Sequence, residues 1–359
     1  MKKIGIITII DNDNYGNRLQ NYAVQEIIKK FHYEPVTMLN KQYTNDKKLF
    51  LLRLIRNKLK NNLKKSNYER RKNFECFNKL ISFSKENTIP FKKYNDYAFF
   101  ITGSDQVWNP NIGRMKDIDL LSFAPGYKRI SLSASFGISS INHNKQKKLK
   151  RELKKFKSIS VRENSGKEIV KNVLPNKNVC VLIDPTMMLD AREWNSIAKK
   201  PNQLKNKKYV LNYFLGTLSE KVKNDINQFA LNNNCGVINI LDVNSPFYKC
   251  GPSEFLFLEK NAFLICTDSF HASVFAILNR VPFIVFDRYT KSGSMNNRLE
   301  TLLLKFDLLD RKYNGFITNN ILKVNYSKTY TILGEERKKV INFLSKALEL
   351  ESESEENDK

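Results

Sequence analysis

The chain has 359 residues, of which 41% are hydrophobic, and 61 lysines and arginines stand against 36 aspartates and glutamates for a net charge of +25. No apolar run approaches the roughly 20 residues of a membrane-spanning helix, and the five cysteines form no CxxC pair, which argues against a disulfide framework or a zinc-binding motif. Six acids and one lysine at 349–359 predict a disordered acidic tail, so the body before it carries +30 and favours anionic partners.

Short apolar runs alternate with helical patterns in the first half of the chain. The apolar runs predict buried strands, and most lead through a polar loop into a helix, as in a parallel, doubly wound sheet. Asp11 interrupts the first run, which favours a strand over a signal peptide. The predicted strands cover 4–10, 34–38, 97–102, 129–135 and 158–162, and the first helix covers 17–31.

The second half repeats this alternation. We predict strands at 209–215, 236–241, 262–266 and 282–286, and helices at 219–232, 253–259, 270–279, 295–305 and 335–348. The fold class is therefore α/β, with two Rossmann-like domains facing across a cleft. We place the N-terminal domain at 1–178, with a helical insertion at about 41–93, and the C-terminal domain at 179–348.

The insertion contains a basic amphipathic pattern. Leu51, Ile55, Leu59 and Leu63 recur every four residues among six lysines and arginines. The pattern predicts a helix within 45–66 that either packs its apolar side on the core or docks on an anionic membrane surface. The second interpretation places a cytoplasmic protein at the inner face of the membrane.

The loop after the first strand lacks the glycine spacing of a dinucleotide fingerprint or a P-loop, which argues against nicotinamide chemistry. It leads directly into a helix, where Gly16 permits close backbone approach and Asn14 and Asn17 offer hydrogen bonds. Together with Tyr15, these residues are candidates for binding the acceptor of a reaction. Ordinary turn and helix-cap chemistry is the alternative explanation.

A second polar loop follows the strand 97–102. It places Gly103, Ser104, Asp105 and Gln106 before Trp108. Sugars are bound by such sets, because polar side chains take the hydroxyls while an aromatic ring stacks on the apolar face of the sugar. These five residues are further candidates for the acceptor site, and the alternative is a turn whose tryptophan fills the core.

Arg162 ends the predicted strand 158–162, at the edge where open α/β sheets collect ligand-binding groups. Its planar guanidinium suits a carboxylate or a phosphate, and a salt bridge to Glu163 or another acid is the structural alternative. Arg288, Asn296 and Arg298 offer further donors for an anion near the end of the second half.

His271 lies in the run ICTDSFHASVFAIL, at the junction between a predicted apolar strand and the helix that follows it. Thr267 to Ser269 are predicted to form the N-terminal cap of this helix. The free N–H groups at a helix N-terminus favour the binding of an anion there. Such a histidine is either a catalytic group or a satisfied structural residue of the core.

Several segments in order resemble the polysaccharide pyruvyl transferase family. They span residues 4–305 and read NYGNRLQNYAVQ, FFITGSDQVWNP, ISLSASFG, ISVRENSGKEI, IDPTMML, ICTDSFHASVFAI and MNNRLETLLL. The resemblance implies the GT-B arrangement of two Rossmann-like domains. It also implies transfer of the pyruvyl unit of phosphoenolpyruvate onto two sugar hydroxyls, which gives a cyclic ketal and phosphate.

By position, Arg162 matches the family arginine that holds the donor, and His271 matches the functional histidine. The chain departs from the family at Ser269, where related sequences carry a donor-binding arginine. Arg288 or Arg298 is expected to replace it, with Ser269 and Asn296 beside them, unless this branch uses another donor.

We therefore expect a pyruvyl transferase acting on a cell-surface polysaccharide or lipid-linked sugar precursor, with phosphoenolpyruvate as co-substrate and no metal or cofactor. Two alternatives stay open: a GT-B glycosyltransferase that uses a nucleotide sugar, and a non-catalytic glycan-binding protein. A nucleic-acid partner is not expected, because no recognition motif or interleaved aromatic-basic patch is present. The oligomeric state is left open.

Overall fold

A computed structural model of the chain describes residues 1–39, 61–84, 94–205, 207–290, 293–294 and 297–349. Most of the predicted basic helix at 45–66, the candidate donor residue Asn296 and the acidic tail beyond Glu349 lie outside these ranges. Within the ranges, no helix has the length and apolar character needed to cross a bilayer.

The first half forms one sheet whose strands are all parallel. It comprises β1 (Lys3–Ile7), β2 (Glu34–Thr37), β3 (Tyr97–Thr102), β4 (Arg129–Ala134), β5 (Ser158–Val161) and β6 (Cys180–Val181), in the order β2-β1-β3-β4-β5-β6. The helices of this half are α1 (Tyr15–Lys30), α2 (Asn61–Asn78), α3 (His143–Leu153) and α4 (Asn164–Val173). The strand order reverses at β1, so a crevice opens beyond the carboxyl ends of β1 and β3.

The second half forms a second parallel sheet. Its strands are β7 (Tyr209–Tyr213), β8 (Gly236–Asn239), β9 (Leu264–Thr267) and β10 (Phe283–Val285), in the order β10-β9-β7-β8. The helices are α5 (Ala191–Ser196), α6 (Glu220–Asn232), α7 (Pro252–Asn261), α8 (Phe270–Asn279), α9 (Asn297–Lys305) and α10 (Ser327–Ala347). Here the order reverses at β7, beside β9.

The α/β class and the two Rossmann-like sheets predicted from the sequence are confirmed. One helix boundary was wrong, because the helix expected at 335–348 begins at Ser327. Its buried face extends further toward the N-terminus than the prediction, through Leu333 and Thr329. The division at 178/179 stays a prediction, and β6 carries the first sheet on to Val181.

The two halves pack against each other through aromatic side chains. Tyr15, the first residue of α1, stacks on Phe255 of α7 with ring centroids 4.5 Å apart and on Phe74 of α2 at 5.3 Å. Arg70 donates to the Tyr15 hydroxyl at 2.5 Å and to the carbonyl of Tyr248 at 2.8 Å. This interface fixes the start of α1 against the second half, which matters for the site described next.

Candidate active site

Polar side chains from both halves converge at the carboxyl ends of the first sheet. Asp105 lies just beyond β3, Arg162 follows β5, Asp184 lies just beyond β6, and His271 is the second residue of α8. Arg298, from the first turn of α9, joins them. Because parallel strands bring their carboxyl ends to one edge, residues far apart in the chain meet here. We call these five residues the His271 cluster.

Asp184 lies at the centre of the His271 cluster. Its Oδ2 accepts from Ser104 Oγ at 2.7 Å and from Arg162 Nη1 at 2.6 Å, and it lies 3.7 Å from His271 Nε2. Its Oδ1 accepts from the backbone N–H and the hydroxyl of Thr186, at 3.0 and 2.7 Å. These contacts fix the carboxylate, which presents a constant negative charge to the imidazole.

Arg162 bridges the two carboxylates of the cluster. Its Nη2 donates to Asp105 Oδ1 at 3.1 Å while Nη1 holds Asp184, and the ring of Phe270 covers the guanidinium at 4.3 Å. The side chain is buried. The structure therefore shows salt bridges from Arg162 to Asp105 and Asp184, while its buried Nε has no partner among the described residues and its role in donor binding stays a prediction.

His271 is held between the two halves of the molecule. Its Nε2 is buried without a hydrogen-bond partner among the described residues and faces Asp184. On the other side, Gly16 of α1 lies so close that a Cβ there would be 2.0 Å from His271 Nδ1. Only glycine at this position allows α1 to approach the ring. Gly16 thus permits a close backbone approach to the imidazole, and its role in binding the acceptor stays a prediction.

Burial and charge set the ionisation of the cluster. Burial alone would raise the pKa of Asp184, but the facing imidazole and the Arg162 guanidinium hold that pKa well below its usual range. Burial likewise opposes ionisation of Asp105, whose pKa is nevertheless lowered by Arg162, His271 and Arg298. Both carboxylates are therefore charged at neutral pH.

The two expected donor arginines differ in how well they are paired. Arg288 donates from Nε to Asp268 Oδ2 at 2.9 Å and from Nη2 to the Asp268 carbonyl at 2.6 Å. Arg298 has a weaker contact, with Nη1 3.7 Å from Asp105 Oδ1, and its buried Nε has no partner in the described part of the chain. Burial, and then repulsion from Arg162, lowers the pKa of Arg298 to about 10. Arg298 is therefore the under-paired cation of the cluster, and an anion placed beside it would relieve both effects.

Three polar residues of the candidate acceptor set lie within the hydrogen-bond network around His271. The Asn17 amide donates to Asp105 Oδ2, and the Ser104 backbone N–H donates to Gln20 Oε1 at 3.0 Å. Gly103 lies at a φ of 119°, where a Cβ would be 2.3 Å from the carbonyl oxygen of Leu132. The loop that carries Ser104 and Asp105 is thus fixed against β4 and α1.

Two aromatic candidates are corrected by the structure. Trp108 is 0% exposed, packs on Phe136 and Phe156, and donates from Nε1 to the carbonyl of Asp119 at 3.1 Å. It fills the core and offers no surface for a sugar. Tyr15 is also 0% exposed and belongs to the aromatic interface between the halves. Both side chains are completely surrounded by residues distant in sequence.

The remaining candidates have local roles. Asn14 caps α1 by accepting from the Asn17 backbone N–H at 3.3 Å, and Gln106 Oε1 accepts from the Asn109 amide at 2.5 Å. Ser269 precedes α8, is 3% exposed, and donates from its backbone N–H to Thr267 Oγ1 at 2.9 Å. These contacts show cap and turn chemistry at Asn14 and Gln106.

Sequence reasoning assigned no role to Asp184 and took Asp268 only as part of the helix cap. Asp184 follows the apolar run Val181-Leu-Ile and precedes Pro185, so it carried the same signal as Asp105 and Arg162: a polar residue at the end of a strand. Asp268 follows β9, and its carboxylate accepts from the backbone N–H groups of Leu215 and Gly216 at 2.7 and 2.8 Å. It ties the loop after β7 to the start of α8.

The cluster combines one imidazole, two fixed carboxylates and two guanidiniums, of which that of Arg298 is under-paired, and all five side chains are buried. A histidine beside a charged carboxylate can accept and return a proton near neutral pH. The guanidinium can bind an anionic group beside it. Such a site suits the transfer of an acidic group with proton movement.

The chain was compared with solved structures, curated sequences and family models. The chain is similar over most of its length to solved structures of low identity. One is the UDP-GlcNAc 2-epimerase of Neisseria meningitidis bound to UDP-GlcNAc, with 10% identity, a TM-score of 0.47 and coverage of 96% of this chain and 100% of that one. Another is an α-glucosyltransferase in complex with UDP and a DNA 13-mer, with 10% identity, a TM-score of 0.42 and coverage of 96% and 95%.

A comparison with curated protein sequences gave no match. The family model for polysaccharide pyruvyl transferase matches residues 14–289, a range that begins at the cap of α1 and includes Asp105, Arg162, Asp184 and His271. The chain therefore belongs to the polysaccharide pyruvyl transferase family.

Proposed function

We propose that this protein transfers the pyruvyl unit of phosphoenolpyruvate onto two hydroxyls of a sugar in a cell-surface polysaccharide or lipid-linked precursor, with His271 moving the protons. The observation that carries the proposal is the placement of His271 within 3.7 Å of the charged Asp184, in one cluster with the under-paired Arg298. Membership of the family supports the reaction class.

The reaction balances without an oxidant or a reductant. The methylene carbon of phosphoenolpyruvate takes one proton, which leaves a cationic carbon at C2. One sugar hydroxyl forms a C–O bond to C2, the C2–O bond to phosphate breaks, and the second hydroxyl forms the other C–O bond of the ketal. Of the two hydroxyl protons, one replaces the proton given to the methylene and the other leaves with phosphate.

Four residues of the His271 cluster have distinct tasks in this scheme. His271 delivers the proton to the methylene and accepts one from a hydroxyl, as general acid and base. Asp184 acts as a positioning residue, because its fixed charge stabilises the imidazolium that forms in each cycle. Arg298 binds the carboxylate or the phosphate of the donor. Arg162 holds Asp105 and Asp184 in place, and the donor-binding role expected for it from the sequence stays a prediction.

The acceptor sugar is expected on the side of the cluster that α1 and the loop after β3 provide. Asn17 and Asp105 offer amide and carboxylate groups there. Hydroxyl groups exchange hydrogen bonds readily with such side chains.

The direct test is an assay of phosphate release with phosphoenolpyruvate and a panel of glycan and lipid-linked acceptors. Saturable release that requires an acceptor, with a methyl signal of a ketal in the product, supports the proposal. Turnover only with nucleotide sugars would establish a glycosyltransferase instead. An absence of turnover with every donor, in protein shown to be folded, would indicate a glycan-binding protein.

We further propose that the basic segment containing Arg53, Arg56, Lys60 and Lys64 brings the protein to an anionic membrane surface, where a lipid-linked acceptor would lie. Near such a surface each lysine or arginine contributes about 1 kcal/mol of binding. Replacing these four residues by Gln should release the protein from phosphatidylserine vesicles and leave activity on a water-soluble acceptor intact. Equal vesicle binding by both forms would contradict this proposal.

A further inference from the structure

A separate pocket opens at the carboxyl ends of β7 and β8. It has a volume of about 340 Å³ and is lined by Asn212 and Asn239 from these two strands, by Asn227 from α6, and by Asp242 beyond β8. Nothing in the proposed mechanism uses these residues. We call this cavity the Asn212 pocket.

Asn212 contributes an unpaired acceptor to the pocket that bears its name. The residue is 7% exposed, and its Nδ2 donates to Asn239 Oδ1 at 2.8 Å. Its Oδ1 is buried and has no hydrogen-bond partner among the described residues. A buried carbonyl without a partner is costly, and a ligand that donates a hydrogen bond to it would remove that cost.

The lysine at the pocket is already paired and one oxygen of its aspartate already accepts a hydrogen bond, which favours an uncharged ligand. Lys223 donates to Glu220 at 2.6 Å, and Asp242 Oδ1 accepts from the Asn244 backbone N–H at 2.9 Å. The remaining polar groups are amides, which both donate and accept. Phe214, Leu218 and Leu241 supply apolar walls. Amides and apolar walls together match a ring that has hydroxyl groups on its edge and C–H groups on its face.

The pocket lies next to the His271 cluster in the fold. Its wall includes Gly216, whose backbone N–H donates to Asp268 Oδ2 at 2.8 Å. Asp268 stands three residues before His271, at the carboxyl end of the strand β9 that pairs with β7. The pocket and the reaction site are therefore on the same edge of the second sheet, where the strand order reverses and ligands of α/β proteins bind.

We propose that the Asn212 pocket binds an uncharged sugar unit of the acceptor, beyond the sugar that receives the pyruvyl group. The inference rests on the proposed function for the identity of the acceptor, whereas binding in the pocket itself needs neither donor nor turnover. The pocket would select acceptors longer than one sugar, and contacts remote from the reacting hydroxyls would place them at His271.

The test is ligand-observed saturation-transfer NMR with a panel of methyl glycosides of hexoses and N-acetylhexosamines, and with uridine and adenosine as the competing class. The protein variants are Asn227→Trp, which fills the pocket from the exposed side of α6, and Gln228→Trp, the neighbouring exposed position that does not line it. Asn239→Ala provides a second, smaller change on the opposite wall. All are compared with the wild type and with His271→Ala.

We expect at least one glycoside to bind the wild type, His271→Ala and Gln228→Trp with similar affinity. Asn227→Trp should weaken that binding at least about tenfold, and Asn239→Ala should weaken it by a smaller factor. Glycoside binding that is unchanged in both pocket variants, binding by nucleosides alone, or no glycoside binding to the wild type would each overturn the proposal. A failure of the proposed function would give a different result: the glycoside would bind, but no phosphate would be released from phosphoenolpyruvate.

Discussion

Replacing Gly16 by Ala tests the contact between the two halves at His271. The added Cβ would lie 2.0, 2.5 and 2.7 Å from Nδ1, Cγ and Cε1 of the imidazole, whereas ordinary contacts are 3.4–4 Å. The ring or α1 must therefore move by more than 1 Å. The ring has little room to retreat, because Asp184 Oδ2 lies 3.7 Å beyond Nε2. Overpacking of this kind costs about 1–3 kcal/mol of unfolding free energy.

The assay is denaturant unfolding of the wild type, Gly16→Ala, His271→Ala and the double variant. Removing the imidazole makes room for the new methyl group, so Gly16→Ala should cost little in the His271→Ala background. We expect a coupling energy of about 1–3 kcal/mol between the two positions. The matched control is Gly334→Ala, a helical glycine of α10 with open space around it, which should stabilise by about 0.5–1 kcal/mol.

Additive effects at Gly16 and His271, within about 0.5 kcal/mol, would refute this account of the contact. So would a Gly16→Ala variant that is as stable as Gly334→Ala. A displacement of about 1 Å at a catalytic group can also cost on the order of a hundredfold in rate, so Gly16→Ala should lose activity even where it still folds.

Three further predictions concern buried charges. Arg162→Ala leaves two buried carboxylates without their cation and should lower the unfolding free energy by about 3–5 kcal/mol in denaturant unfolding; a loss below about 1 kcal/mol would contradict the bridging role. Arg298→Ala should raise the KM for phosphoenolpyruvate by about 10- to 150-fold with smaller stability effects, and an unchanged KM would remove Arg298 from the donor site. Glu259 is fully buried, neither of its oxygens has a hydrogen-bond partner in the described ranges, and burial raises its pKa well above the usual value. Because the carboxyl pKa is higher in the folded state than in the unfolded state, the wild type loses stability as the pH rises from the unfolded pKa toward the folded one. The unfolding free energy of Glu259→Gln should therefore rise relative to that of the wild type by about 1.4 kcal/mol per pH unit in that window. If the unfolding free energies of the two proteins changed in parallel with pH, the assignment of a raised pKa to Glu259 would be wrong.

Much of the architecture could be predicted from the sequence because it depends on local patterns. Apolar runs of strand length alternate with helices, and this alternation alone favours parallel sheets. The same logic placed Arg162 at the carboxyl edge of the sheet, where polar residues at strand ends of parallel sheets meet. Asp184 could have been found by this rule but was overlooked, because its strand β6 has only two residues.

The misassigned residues depend on contacts that a local pattern cannot show. Trp108 follows a strand and a polar loop, but its burial is decided by Phe136 and Phe156 from later elements. The sequence placed Tyr15 in a polar loop that could bind a ligand. In the structure its side chain is enclosed by Phe255 and Arg70, which come from distant parts of the chain. For Arg162 the sequence named Glu163 or another acid as a salt-bridge partner, and the fold supplies Asp105 and Asp184, which lie far from it in the chain.

The central claim is that His271 moves protons in a transfer from phosphoenolpyruvate, and one comparison tests it most directly. Acceptor-dependent phosphate release is measured for the wild type, His271→Ala and His143→Ala, the last being an exposed histidine at the start of α3. We expect His143→Ala to match the wild type and His271→Ala to lose about 10²–10⁴-fold in rate while remaining folded. A folded His271→Ala protein that releases phosphate at the wild-type rate would contradict the catalytic role of this histidine.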